Sequence, residues 1–311
     1  MKLATTTGDF LAWSKTPAEA VSLFEGTGFR HLDYNFYRVI YPGSPFLGDR
    51  WLDEVEAAGR EAERLGLDFV QAHSPNYNPF DPKADHEVGM LATLRSIEAC
   101  GRLGIRNIVV HSGIAADLDY PGGRDEYFRR NRGFYSSLFP AMEKWNVNVL
   151  IENSAEKNMG GRYFFMTGEE MRDFADYMAH PLLHCNWDTG HANMRGTDQM
   201  ADIIAMGGHL RALHVQDNLG TYDEHLAPFM GTLDIDAIMQ GLKAIGYKGY
   251  FTFEADNMLL RSARWPHVRR ESPSVAERRL SNPPVELKRK AIALLYEIGR
   301  TILSAYDCFE E

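Results

Sequence analysis

Cysteine is scarce in this 311-residue sequence, and basic charge is in deficit. The three cysteines, Cys100, Cys185 and Cys308, form no CxxC pair and are odd in number. That disfavours a disulfide scaffold and predicts a reduced, cytoplasmic setting. Lysine and arginine total 33 against 43 aspartates and glutamates, for a formal charge of −10. A nucleic-acid binder presents a basic surface, so this balance points away from such a partner. Long apolar runs are missing too. None would span a bilayer, and the opening MKLATTTGDF carries no apolar signal segment, so no membrane partner is expected. No GxGxxG follows the first candidate strand, which weakens a dinucleotide-binding sheet. Domain linkers, short-period repeats and low-complexity tracts are also absent.

What is present is an alternation. Short apolar runs lie near residues 2–6, 29–34, 67–72, 106–110, 147–151, 182–187, 210–213 and 249–253. Several are apolar throughout, which suits parallel strands buried on both faces. Helical patterns lie between them, as at 50–65 and 84–103. Gly28, Gly66, Gly104 and Gly246 stand just before strands, where glycine can take the left-handed conformation that closes a helix. Eight such alternations, with 44% hydrophobic residues to fill one core, predict a single-domain (β/α)8 barrel over 1–311. An open doubly wound sheet is the alternative. Residues 256–311 read as a C-terminal extension of a loop and a last helix.

The chemistry sits where these strands end. His73, His111, Glu152, Asp188, His214 and Glu254 each come directly after one of six successive strands. In a barrel those ends converge on one face, where active sites of this architecture lie. Imidazole and carboxylate together suit Zn, Mn, Co or Fe, whereas carboxylates and water alone lean toward Mg or Ca. Carboxylates gathered at buried strand ends repel one another, and a cation is the simplest neutraliser. Taken singly, each residue has a plainer reading; Asp188, for instance, could cap the next turn. Two local patterns add to the set. A tight glycine turn in Asp188-Thr189-Gly190-His191 would aim both Asp188 and His191 into the site. The spacing of Asp223 and His225 would put both on one side of an extended segment, or else in a solvated loop. The aromatic stretch at 35–49 would cover a ligand's apolar edge or merely pack.

The segments VQAHSP, IVVHSG, VLIEN, WDTGHAN, LHVQDN, DEHLAPFMGTLDIDAI and GYFTFEAD resemble the xylose-isomerase-like superfamily of barrels, in order from about residue 67 to residue 255. Its epimerase branch implies one divalent cation, drawn from Mn, Zn, Co and Mg, on Glu152, Asp188, His214 and Glu254. It also implies that His191 contacts substrate. Glu152 and Glu254 would then act as paired proton-transfer groups on a metal-stabilised enediolate of a sugar or sugar phosphate, with His73 a candidate to aid His191. Two positions depart from the ketose 3-epimerase pattern: Asn158 stands where a Glu is common, and Gly220 where an Arg is common. The resemblance to endonuclease IV implies a three-zinc site on His73, His111, Glu152, Asp188, His191, His214, Asp223, His225 and Glu254. A zinc phosphodiesterase is therefore one alternative, and a keto-inositol dehydratase or lyase is another. A non-catalytic sugar-binding barrel has no need of paired bases. Arg261 and Arg264, in the arginine-rich stretch after the eighth strand, are candidates to grip phosphate. A homo-oligomer is compatible with all of these readings.

Overall fold

A computed structural model describes residues 1–259 and 283–311. Eight parallel strands alternate with helices: β1 (Leu3–Thr6), α1 (Pro17–Ser22), β2 (His31–Asn35), α2 (Trp51–Leu65), β3 (Asp68–His73), α3 (His86–Leu103), β4 (Asn107–Val109), α4 (Arg124–Trp145) and β5 (Asn148–Glu152). Two helices, α5 (Glu156–Met159) and α6 (Gly168–Met178), lead to β6 (Leu183–Asp188). Then come α7 (Thr189–Arg195), α8 (Gln199–Met206), β7 (Leu210–His214), α9 (Ile235–Ala244), β8 (Phe251–Phe253) and α10 (Val285–Ala305). The sheet runs in the order β7-β6-β5-β4-β3-β2-β1-β8. Its seam between β7 and β8 is joined by a Val215–Phe253 bridge, with Val215 N donating to Thr252 O at 2.8 Å and Glu254 N to Val215 O at 3.0 Å. This is the expected (β/α)8 barrel, and it excludes the open sheet.

Each expected strand is found, displaced by a residue or two. Gly66 (φ 66°) and Gly104 (φ 74°) close α2 and α3 in the left-handed conformation. Asn146 and Ala179 close α4 and α6 in the same conformation without being glycine, so glycine marks only some of these stops.

Most of the core lies between the sheet and the helices, where Phe10, Phe24, Phe165, Phe174 and Trp187 are fully buried. A separate apolar cluster of Val109, Leu150 and Ala212, from β4, β5 and β7, occupies part of the barrel interior. Side chains on a strand alternate faces, so the residue two positions on points inward as well. Two after Val109, Leu150 and Ala212 come His111, Glu152 and His214. The site is thus the polar layer stacked on this interior plug. β3 and β7 each carry one extra residue relative to a neighbouring strand, at Val70 and Arg211. Bulges re-aim the residues after them. Here those residues include His73 and His214, whose rings stack with centroids 5.5 Å apart.

The last helix is tied to the barrel mouth by a buried cation. Lys288 is fully buried, and its Nζ donates to Asp256 O at 2.9 Å and Met258 O at 2.8 Å. It also lies 3.7 Å from Asp9 Oδ1. Burial pushes the Asp9 carboxyl up to about 6 despite Lys288. A buried ion that loses its partner is costly, so Lys288→Met should lower unfolding free energy by about 3 kcal/mol near pH 8. A carboxyl raised in the folded state favours folding only while protonated, and that benefit fades as pH rises through about 6. Without the lysine the stranded carboxylate is cheaper as the neutral acid. The deficit of Lys288→Met in urea denaturation should therefore be smaller at pH 5 than at pH 8. A deficit independent of pH would mean that the lysine acts through packing alone.

No helix among the described residues is long and apolar enough to cross a membrane. The three cysteines are unpaired. Arg261 and Arg264 lie outside the described residues.

Candidate active site

Four residues from four strand ends converge at the C-terminal mouth of the barrel. Glu152, Asp188 and His214 close β5, β6 and β7, and Glu254 comes immediately after β8. They present ligand-type atoms that all lie within 4.8 Å of one another. His214 Nδ1 is 2.5 Å from Glu152 Oε1 and 3.3 Å from Glu254 Oε2. Two further groups of this size involve His73, one with His214 and Glu254 and one with His111 and Glu152. His111 Nε2 lies 2.8 Å from Glu152 Oε2.

Asp188 divides its carboxylate between two tasks. Oδ1 accepts from His191 N at 2.7 Å and caps α7. Oδ2 is buried with no hydrogen-bond partner among the described residues. The capping reading is therefore correct for one oxygen, and the other remains available. Three carboxylates around one imidazole, with one carboxylate oxygen buried and unpartnered, form a donor set that fits a divalent cation.

The local charges oppose one another. Burial disfavours ionisation of Glu152, but the imidazoles of His214 and His111 outweigh it and hold this carboxyl well below its usual range. Burial likewise disfavours a charged His214, yet Glu254 and Glu152 raise it well above the usual imidazole range. Burial pushes the Glu254 carboxyl up to about 8 and raises that of Asp188. His73 is pulled down to about 3, chiefly by burial and then by His111. It is thus a neutral ring near pH 7. Its Nδ1 lies 2.9 Å from Ser74 O; a proton held there leaves the Nε2 lone pair free.

The Asp188-to-His191 motif differs from its expected geometry. There is no glycine turn, because α7 starts at Thr189 and Gly190 is helical. Glycine is needed instead for close approach: a Cβ at Gly190 would sit 2.1 Å from Gln216 Cδ. His191 has both nitrogens engaged, Nδ1 with Asn153 O at 3.0 Å and Nε2 with Asp223 Oδ2 at 3.2 Å. Burial opposes its charge, but Asp188 and Asp223 push it up to about 10.

Asp223 and His225 do meet, at 3.3 Å, though not on an extended segment. His225 has a φ of 50°, and this turn brings its Nδ1 to 3.2 Å from Asp256. His191, Asp223 and His225 thus form a chain of ion pairs, and among the described residues they do not form a cation-sized group. In the aromatic stretch, Phe36 and Phe46 are core residues, packed against Tyr34 and Trp51. Packing is the right reading for them. Tyr37, whose ring is 5.6 Å from that of His73, faces the site.

Several residues of the site carried no flag in the sequence. Asn186 donates to Glu152 Oε1 at 2.7 Å. Asn153 clamps the end of β6, accepting from Asp188 N at 2.7 Å and donating to Asp188 O at 2.9 Å. Gln216 donates to Asp223 Oδ1 at 2.6 Å. Asp33 lies 3.2 Å from His214 Nε2. Asp33 and Asn186 stand in strands that carry other polar residues, His31 and Asn35 in β2 and His184 and Asp188 in β6, so nothing in the sequence set them apart.

Comparison with known proteins agrees with this architecture. A curated relative, the uncharacterized protein y4fM of Sinorhizobium fredii, is 24% identical over 270 residues, covering 76% of this chain and 79% of its own. Among solved structures, D-psicose 3-epimerase with D-tagatose from Clostridium cellulolyticum H10 superposes with a TM-score of 0.70 at 18% identity, covering 97% of this chain and 99% of that one. The apo 3-keto-D-glucoside 4-epimerase YcjR from E. coli gives 0.65 at 17% identity, over 96% and 99%. A family 2 AP endonuclease from Brucella melitensis gives 0.60 at 18% identity, over 82% and 93%. Identities this low speak to the fold alone. The model of the xylose isomerase-like TIM barrel matches residues 28–279, and the chain belongs to that family.

Proposed function

We propose that this chain is a divalent-metal-dependent isomerase or epimerase of a free or phosphorylated sugar. The observation that carries this reading is the tetrad of Glu152, Asp188, His214 and Glu254 within 4.8 Å, with Asp188 Oδ2 buried and unpartnered among the described residues. A divalent cation held by these four would supply positive charge to the carbonyl and adjoining hydroxyl oxygens of an enediolate. The protein's own groups do the proton transfer. One of Glu152 and Glu254 accepts the proton from carbon at a carboxylate oxygen, and the other returns one. Return to the opposite face inverts the centre; return to the neighbouring carbon exchanges aldose and ketose. His73, neutral and with Nδ1 turned to Ser74 O, offers Nε2 as an acceptor for a hydroxyl. His191 can donate Nε2–H to a second hydroxyl only by sharing it with Asp223.

The substrate differs from that of ketose 3-epimerases in the polar contacts available. Asn158 is exposed on α5, and Gly220 O accepts from Lys157 Nζ at 3.1 Å. Neither the Glu nor the Arg common at these two positions is present, and the neighbouring Lys157 bonds a backbone carbonyl instead. Arg261 and Arg264 remain the proposed phosphate grip.

A second reading, metal-dependent phosphodiester hydrolysis, is favoured by the two additional groups around His73. It is disfavoured by the pairing of His191, Asp223 and His225 with one another and by the net charge of −10. The deciding experiment incubates the metal-reconstituted protein in deuterated water with ketoses, ketose phosphates and keto-inositols. Deuterium should enter a carbon beside the carbonyl of one class. Absence of exchange with every class, together with nicking of abasic-site DNA, would overturn the isomerase reading in favour of the hydrolase.

A further inference from the structure

Beneath the tetrad lies a second polar layer that no ligand role accounts for. Asp33, on β2, is 1% exposed. Its Oδ2 lies 3.2 Å from His214 Nε2 and accepts from Gln71 Nε2 at 2.9 Å. Gln71 also donates to Leu213 O at 3.3 Å, and its Oε1 accepts from Thr252 Oγ1 at 3.2 Å. Thus β2, β3, β7 and β8 are joined across the barrel interior by one hydrogen-bonded chain ending on a single nitrogen of His214.

We infer that Asp33 is a positioning residue, which fixes the ring and tautomer of His214 so that Nδ1 faces the cation. The inference rests on the metal-dependent reading above. The two nitrogens of His214 face different environments. Nδ1 faces Glu152 and Glu254, within the tetrad; Nε2 faces Asp33. An ionised carboxylate accepts hydrogen bonds and cannot donate one. A neutral imidazole beside Asp33 therefore keeps its proton on Nε2 and leaves the Nδ1 lone pair pointing into the tetrad. The opposite tautomer would set a lone pair against the carboxylate and a proton where the cation belongs. Negative charge behind the ring also makes it a stronger donor to metal, the usual work of a carboxylate behind a ligating histidine. Gln71 and Thr252 give the carboxylate a fixed direction. Asp33 is not itself a ligand, since it belongs to none of the cation-sized groups among the described residues.

Asp33→Asn isolates the charge. The Asn oxygen can still accept from both His214 and Gln71, while its amide takes the place of Asp33 Oδ1, an atom without a partner among the described residues. Thr252→Val breaks the same chain at its far end and leaves Asp33 on His214. The measurement is Zn2+ affinity of the metal-free full-length proteins, by competition with a chromophoric chelator, alongside the melting temperature without metal. Asp33→Asn should bind Zn2+ roughly 10- to 100-fold more weakly, with a lowered but still cooperative metal-free melting transition, because its buried amide has no acceptor. Thr252→Val should stay within about threefold of the parent, because the carboxylate still stands directly behind the histidine. Long-range 1H–15N spectra of the zinc-loaded parent should place the His214 proton on Nε2. Should Asp33→Asn fail to fold, Asp33→Ser, which leaves room for water, is measured in its place. Parent-like affinity in the Asp33 variant, or an equal loss in Thr252→Val, would overturn the role of Asp33 and leave the metal reading standing. Failure of the parent to bind zinc or any other divalent ion would instead remove that reading, and this inference with it.

Discussion

Asp188→Ala and His214→Ala are expected to lose the divalent ion altogether, and Asp188→Asn to lose most of it. Each ligand removed leaves an incomplete shell around a cation that has given up its water. The two Asp188 substitutions separate two effects that this residue combines. Its Oδ1 caps α7 through His191 N, and truncation to Ala forfeits about 1 kcal/mol of helix capping whatever happens to metal. Asn retains the cap and removes the charge at Oδ2, the buried oxygen with no partner among the described residues. Asp188→Asn should therefore melt close to the metal-free parent, but should gain little when metal is added. The parent should gain about 2.7 kcal/mol with free metal at about a hundred times its dissociation constant. His214→Ala also strands the carboxylates of Glu152, Glu254 and Asp33 without their shared cationic partner. It should be the least stable of the three without metal. Elemental analysis finding full metal occupancy in Asp188→Ala and His214→Ala would sink the tetrad as the metal site.

The barrel was legible in the sequence because several of its strands are apolar runs that alternate with helical patterns. Runs such as NIVV and VNVLI admit little else at that length. The convergence of His73, His111, Glu152, Asp188, His214 and Glu254 was legible for a topological reason: a parallel barrel puts every strand's C-terminal end on one face. The pairing of the remaining polar groups was not legible. His191, Asp223 and His225 have ligand-type side chains at suggestive spacings, yet the fold turns them toward one another and toward Asp256. That outcome depends on the left-handed φ of His225, which no periodicity encodes. Gly190 reads as a turn glycine and is a close-packing glycine, because its constraint comes from Gln216 on another strand's exit. Asp33 and Lys288 are hidden for a similar reason. Asp33 is one of several polar residues in β2 and Lys288 one of several charged residues in α10, and only the three-dimensional neighbourhood gives each its partners.

The second large effect concerns Glu152 and Glu254 as a proton-transfer pair. Glu152→Gln and Glu254→Gln should each cost at least about 100-fold in turnover of the sugar identified by deuterium exchange, since positioned general acid–base groups contribute about 10²–10⁴-fold. The amide has nearly the volume of the carboxylate but cannot accept a proton from carbon. Because both residues also belong to the tetrad, loss of turnover alone would not separate catalysis from metal binding. The two are separated by holding metal saturating, as established by elemental analysis, and by monitoring single steps. With one glutamate removed, abstraction and return of the proton no longer have the same status. If the retained carboxylate is the one that removes the proton, the variant still exchanges that hydrogen with deuterated solvent while failing to form epimer. If it is the one that returns it, exchange and epimer formation stop together when starting from the same sugar. The two variants should therefore swap behaviour when the reaction is started from the product side, because the two faces exchange roles. Near-parental turnover in either metal-saturated variant would refute the two-carboxylate mechanism, and matching exchange behaviour from both directions would assign both proton transfers to a single group.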